Sequence, residues 1–376
     1  MDQANILIIG GGVVGCAIAH AVSQKYQDVF LVEQNPRPGM ATSSRNSGVI
    51  HSGIYYPKGS LKARLCVEGN RLMYEFCARH NVPHRHTGKL VVASNAHEEA
   101  DMAELQKKGE ANGVEGLRIV GPAEIRAREP HIRGTAALEV PSTGIVSAED
   151  LVRTFARLAV DKGGHIVTHA RVVALEPQRE TVRVTLRIGE AEDAHDETIE
   201  ARCVVNAAGL YADEVAAMLG NKSWRIYPLR GEYCEIRGPR NYLINGLVYP
   251  LPHRDGLSLG VHFTKTLWGT VLVGPTAIYV EGKDNYERGR LSVADFARSA
   301  KTLLPEVEES DLQLGYSGLR PKIVPPGATD AHGDFVIQRD PQVPQAIQLV
   351  GIESPGLTSA PAIAAYVARL VSETFD

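Results

Sequence analysis

The feature that most restricts this chain lies near its start, where Gly10, Gly12 and Gly15 follow the apolar run Asn5–Ile9 and lead into CAIAHAVSQKY. A short apolar run fits a parallel strand buried on both faces, and the stretch after the glycines reads as a helix. A second apolar run, VFLVE, then ends in Glu33. Strand, glycine turn, helix, strand and terminal acid are in register as one βαβ unit. Gly10 permits the tight turn, Gly12 lets a pyrophosphate approach the backbone, and Gly15 lets helix and strand pack closely. The helix start at Val13 and Val14 offers free N–H groups to phosphates. Glu33, with Gln34 beside it, can accept hydrogen bonds from ribose hydroxyls. NAD and FAD sites share this pattern, and the acid argues only against NADP.

Bulk properties narrow the field. The 376 residues are 44% hydrophobic and 22% charged, enough chain for two soluble domains. A formal net charge of -4 gives no sign of a basic face for nucleic acid. The five cysteines are an odd count without a C-x-x-C pair or metal-ligand spacing, so reduced thiols and no metal are expected. The apolar start lacks a basic segment before it, and no window holds about 18 uninterrupted apolar residues. A cytoplasmic protein without an integral membrane segment is the expectation, with peripheral contact at the inner membrane face compatible; the sequence assigns no oligomeric state.

After Glu33 the chain continues QNPRPGMATSSRNSGVIHSGIYYPKGSLKARLC, rich in serine and glycine around a single histidine, His51. An acid at the second strand followed by a glycine and a serine-rich turn resembles the D-amino-acid-oxidase-like superfamily of FAD oxidoreductases. Within it, this stretch, VVNAAGLYAD, GVHFT, GLRPK and GIESPGLTSAPAIA are similar to the L-2-hydroxyglutarate dehydrogenase/oxidase family, over nearly the whole chain. The resemblance implies non-covalent FAD, held by Gly10, Gly12, Val13, Val14, Gly15, Glu33, Gln34, Thr42, Ser43, Ser44, Asn46, Ser47, Gly48, Val172, Ala207, Gly209, Gly318, Arg320, Gly356, Leu357 and Thr358. Residue chemistry supports the opening stretch as a flavin loop. Ser43, Ser44, Arg45 and Asn46 bring hydroxyls, a cation and an amide, while Ser47-Gly48 and Ser52-Gly53 are small enough for a flat ring to lie against backbone. Val49, Ile50 and Ile54 want burial, and Ser60 caps a strong helix behind them, so the loop is anchored on both sides.

The expected fold class is α/β: a Rossmann-like FAD-binding domain of glutathione-reductase type, interleaved with an α+β substrate domain on a mainly antiparallel sheet. The first takes residues 1–82, 145–220 and 325–376, the second 83–144 and 221–324. A helix is expected over His97–Asn112, another from a capping box at Ser147 and Asp150, a third over Val293–Leu304, and a closing helix from about Thr358.

A flavin enzyme acting on a 2-hydroxy acid needs a base for the hydroxyl proton and a cation for the carboxylate. Arg320 suits the carboxylate because a guanidinium makes two parallel hydrogen bonds, the role of a GLRP-like arginine in the superfamily. His51 leads as base, since neutral imidazole accepts a proton near pH 7; His262 is the rival. Tyr55 is a substrate contact by similarity to glycerol-3-phosphate dehydrogenase relatives, on the premise of an extended segment. Lys265 and Lys322 are candidates for a second cation if the substrate is a dicarboxylate. The helix after Gly356 would set positive potential beside the flavin N1–C2=O edge. The expected activity is oxidation of a small L-2-hydroxy acid, with oxygen or a quinone as electron acceptor. An amine oxidase of the glycine or sarcosine kind and a non-catalytic flavin subunit are the alternatives.

Overall fold

The computed structural model describes residues 2–189, 193–252, 260–328 and 333–375. Two large sheets carry the fold. In the first, strands 165–167, 29–32, 2–9, 195–206 and 346–350 lie side by side and parallel. The first strand sits near the middle of this run and alternates faces. Ile6 and Ile8 enter one core with helices Val13–Val22, Leu61–His80, Ala148–Asp161 and Gly356–Phe375, whereas Leu7 and Ile9 enter the core on the opposite face. That two-sided burial explains why NILII carries no polar alternation. Strands 170–177 and 182–188 add an antiparallel meander against the first half of the long strand 195–206.

The second sheet contains strands 89–93, 118–120, 136–140, 227–236, 247–250, 262–265, 271–274, 278–279 and 312–322. Its pairings are antiparallel except between 247–250 and 89–93, which run parallel. One face packs on helix Val293–Ala300 and the other on helix Ala96–Ala111 and the Ile54–Tyr55 turn. A small third sheet joins strands 49–50, 144–146 and 84–86, pinning the segment that leads to His51.

The local signals translate with small corrections. Ser60 caps helix Leu61–His80 by accepting from the Ala63 amide, and the Asp334 carboxylate accepts from the Leu61 and Lys62 amides as well. At Ser147 the expected reciprocal box is only half made: its hydroxyl accepts from the Asp150 amide and donates to that carboxylate, while its own amide donates to the Pro83 carbonyl. The helix expected to reach Leu304 stops at Ala300, with Leu303 and Leu304 still buried below it. All five cysteines are buried free thiols. Among the described residues, no helix is long and apolar enough to cross a membrane.

Candidate active site

A cavity of about 470 Å³ is lined from both large sheets. The glycine turn forms one wall. Gly10 has φ +109° and a Cβ there would lie 2.5 Å from the Ala207 carbonyl oxygen; a Cβ on Gly15 would lie 1.9 Å from that of Gly10. Gly15 is therefore a packing residue that does not line the cavity, as its position in the motif demands. Gly12 starts helix Val13–Val22 without a side-chain cap, and the Val13 amide donates to the Ser43 hydroxyl. Glu33 ends the second strand buried, one carboxylate oxygen accepting from the Gly11 amide at 2.7 Å and the other from the Asn35 amide. Gln34, Val14, Val172, Ala207 and Gly209 complete this end.

Thr42, Ser43, Asn46, Ser47, Gly318, Arg320, Gly356 and Leu357 continue the lining. Gly318 is needed for closeness: a Cβ on it would meet the Arg45 carbonyl oxygen at 2.1 Å. Three predicted cofactor residues act from behind the wall instead. Ser44 donates to the Ala41 carbonyl, and Gly48, at φ +68°, lets the loop pass the Val146 carbonyl. Thr358 accepts from the His51 amide at 2.9 Å and donates to the Val49 carbonyl, tying the closing helix to the loop.

His51 and His262 both line the cavity. Burial, then Lys89, His262 and Arg320, drive the His51 imidazole well below its ordinary pKa, so it is neutral near pH 7. Its Nε2 lies 3.4 Å from the Ser354 hydroxyl, and its Nδ1 is buried without a hydrogen-bond partner among the described residues. His262 stacks on Tyr249 with ring centroids 3.7 Å apart, and its Nδ1 lies 2.9 Å from the Gly260 carbonyl oxygen, an acceptor that fixes the proton on Nδ1. Burial pushes its pKa down to about 3. The Arg320 guanidinium, on strand 312–322, has no hydrogen-bond or ion-pair partner among the described residues. A cation left open on a cavity is arranged to take an anion.

The remaining candidates lie elsewhere. Tyr55 does not line the cavity: its segment is a turn rather than an extended strand, which puts the ring in the core under the second sheet, with its hydroxyl accepting from Lys89. Lys265 is also turned away, its ammonium donating to the Asn241 and Ile244 carbonyls. Lys322 is buried and shares one Glu353 oxygen with Lys62, at 3.1 and 2.8 Å. Burial works to raise the Glu353 pKa, yet the two lysines and Arg320 hold it below the usual value. Glu353 and Ser354 line the cavity, as do Tyr233 and Tyr249. Sequence reading missed all four. GIESPG displayed the first two next to Gly356, but the tyrosines sit on strands whose pattern shows only burial.

The residues fit FAD. An acid-terminated βαβ unit, an uncapped helix start, a serine-lined loop and an arginine-bearing strand converge on one cavity, with glycines where backbone must approach. The chain matches the family model described as FAD dependent oxidoreductase over residues 5–370 and belongs to that family. It is an FAD-dependent oxidoreductase. Among its relatives it is similar to the mitochondrial L-2-hydroxyglutarate dehydrogenase of Arabidopsis thaliana, 33% identical over 98% of this chain and 83% of that one. It is also similar to the L-2-hydroxyglutarate dehydrogenase of Escherichia coli, 31% identical over 98% of this chain and 93% of the other. In fold it matches the FAD-bound L-α-glycerophosphate oxidase of Mycoplasma pneumoniae, with a TM-score of 0.88 at 27% identity, covering 99% of this chain and 95% of that one.

Proposed function

We propose that the protein oxidises a small L-2-hydroxy acid, with L-2-hydroxyglutarate as the best candidate, to the 2-oxo acid. The observation that carries this is the pairing, on one cavity, of the Arg320 guanidinium with an imidazole, His51, held neutral; among the described residues neither that guanidinium nor the His51 Nδ1 has a hydrogen-bond partner. The two L-2-hydroxyglutarate dehydrogenases point to the same substrate class.

In this reading Arg320 takes the 1-carboxylate and orients C2. His51 receives the hydroxyl proton, being the histidine whose ring is not already committed to a carbonyl. Bound non-covalently, FAD would supply the acceptor for the hydride from C2. The proton goes to imidazole, the hydride leaves C2, and the C–O bond becomes a carbonyl. His262, fixed by Tyr249 and Gly260, positions substrate without taking the proton. Thr358 keeps the His51 backbone in place, and Tyr55 supports the site from behind. The strands of the first sheet, with residues 1–82, 145–220 and 325–376, form the FAD domain; residues 83–144 and 221–324 form the substrate domain. Oxygen or a quinone takes the electrons.

Anaerobic addition of L-2-hydroxyglutarate, L-lactate, glycine and sarcosine to the holoenzyme tests the substrate class. Bleaching of the flavin band by the hydroxy acids is expected. Bleaching by the amines alone would replace this reading with an amine oxidase, which needs no His51.

A further inference from the structure

Three lysines are buried among the described residues: Lys62, Lys89 and Lys322. Two of them share Glu353. Lys89, the first residue of strand 89–93 and 1% exposed, has no ion-pair partner among the described residues. Its ammonium donates to the Tyr55 hydroxyl at 3.0 Å and lies 4.5 Å and 4.6 Å from the centroids of the Tyr55 and Tyr249 rings. Tyr249 carries His262 stacked against it and lines the cavity. Lys89 is thus one ring removed from the substrate space. Aromatic faces and a phenol oxygen soften the burial of a cation without neutralising it.

Among the described residues, cations outnumber carboxylates around this end. The groups facing Lys89 are Tyr55, Tyr249 and the Cys66 thiol; farther out, His51 and His262 feel its charge, as they feel that of Arg320. None of these is a carboxylate. Among the described residues, the carboxylate bordering this end, Glu353, is already held between Lys62 and Lys322. A monoanion bound at Arg320 would leave Lys89 without a counter-charge, whereas a dianion brings one negative charge for each of these two cations. Lys265 and Lys322 cannot fill this role, being committed to carbonyls and to Glu353.

We propose that Lys89 is a specificity-determining positioning residue: its buried ammonium, acting across Tyr249 and Tyr55, makes the cavity prefer a dicarboxylate to a monocarboxylate. This rests on the hydroxy-acid reading of the site. Burial lowers the Lys89 pKa to about 7, so the free protein carries the charge fully only below neutrality. A second carboxylate favours the charged form, and binding it above pH 7 draws in a proton.

The test compares the holoenzyme with Lys89→Met, using anaerobic flavin reduction by L-2-hydroxyglutarate and by L-lactate from pH 6 to 9. In the unsubstituted protein the ratio of the two kcat/KM values should favour the dicarboxylate and decline as pH rises through about 7. Lys89→Met should lower that ratio roughly ten- to a hundredfold, mainly through KM, and flatten its pH dependence. A ratio unchanged in Lys89→Met would overturn the proposal, as would equal losses with both substrates. Calorimetry on the unsubstituted holoenzyme at pH 8, in two buffers of different ionisation heat, serves if the variant does not fold. Proton uptake with 2-oxoglutarate but not with pyruvate is expected, and equal uptake would overturn the proposal. If neither hydroxy acid reduces the unsubstituted protein, the hydroxy-acid reading itself falls and takes this proposal with it.

Discussion

His51 owes its chemistry to what surrounds it. An imidazole in water titrates in the range where a base is needed, but here burial and three neighbouring basic side chains keep it neutral into acid. Neutral imidazole exists above the folded-state pKa, which is lowered. At saturating substrate, the rate of anaerobic flavin reduction should therefore stay flat as pH falls through 6.5 and decline only in stronger acid. His51→Gln should keep its FAD, because the side chain faces the cavity while its amide alone is held by Thr358. Its reduction rate should drop by about 10²- to 10⁴-fold, measured by rapid mixing. Loss of FAD on purification would recast His51 as a residue of the cofactor loop. Sequence showed His51, Arg320 and the glycines because each sits in a short local pattern. It did not show Lys89, which reads as the opening of an ordinary strand, KLVVA. Its significance comes from Tyr55, 34 positions away, and from Tyr249 on a neighbouring strand.

Between elements, helices Leu61–His80 and Gly356–Phe375 meet backbone to backbone. A Cβ on Gly69 would stand 2.5 Å from the Thr358 carbonyl oxygen and 2.7 Å from the Ser359 Cα. Both are backbone, so neither helix can yield without moving Thr358, and with it the His51 loop. Gly69→Ala should cost about 1–3 kcal/mol of stability and reduce FAD content, read by thermal unfolding and by the flavin-to-protein absorbance ratio. Unaltered FAD content would mean that the two helices can shift without disturbing the loop. The helix periodicity of LKARLCVEGNRLMYEFC marked the apolar face but gave Gly69 no special standing, because a close approach belongs to the pair of helices. Tyr55 failed in sequence for a similar reason: alternation was assumed where the chain in fact turns.

The whole molecule is organised around one cavity walled by two sheets, each with its own cores. Whatever fills that cavity touches both sheets, so FAD binding should raise the unfolding temperature and do so progressively with free FAD. Differential scanning of protein stripped of flavin, against added FAD, checks this; a transition indifferent to FAD would place the cofactor elsewhere. The chain's returns to the first sheet were legible because strand signals recur after long interruptions, at ARCVVNAAG and again at AIQLVGIE. The shared Lys62–Glu353–Lys322 cluster, which draws on three separate segments, was not. The most direct test is a single anaerobic turnover of the holoenzyme with excess L-2-hydroxyglutarate, with the product counted. One 2-oxoglutarate formed per FAD reduced, and none from FAD-loaded His51→Gln on the same timescale, is the predicted result. Full conversion by the His51 variant, or no conversion by the unsubstituted protein, would contradict the account.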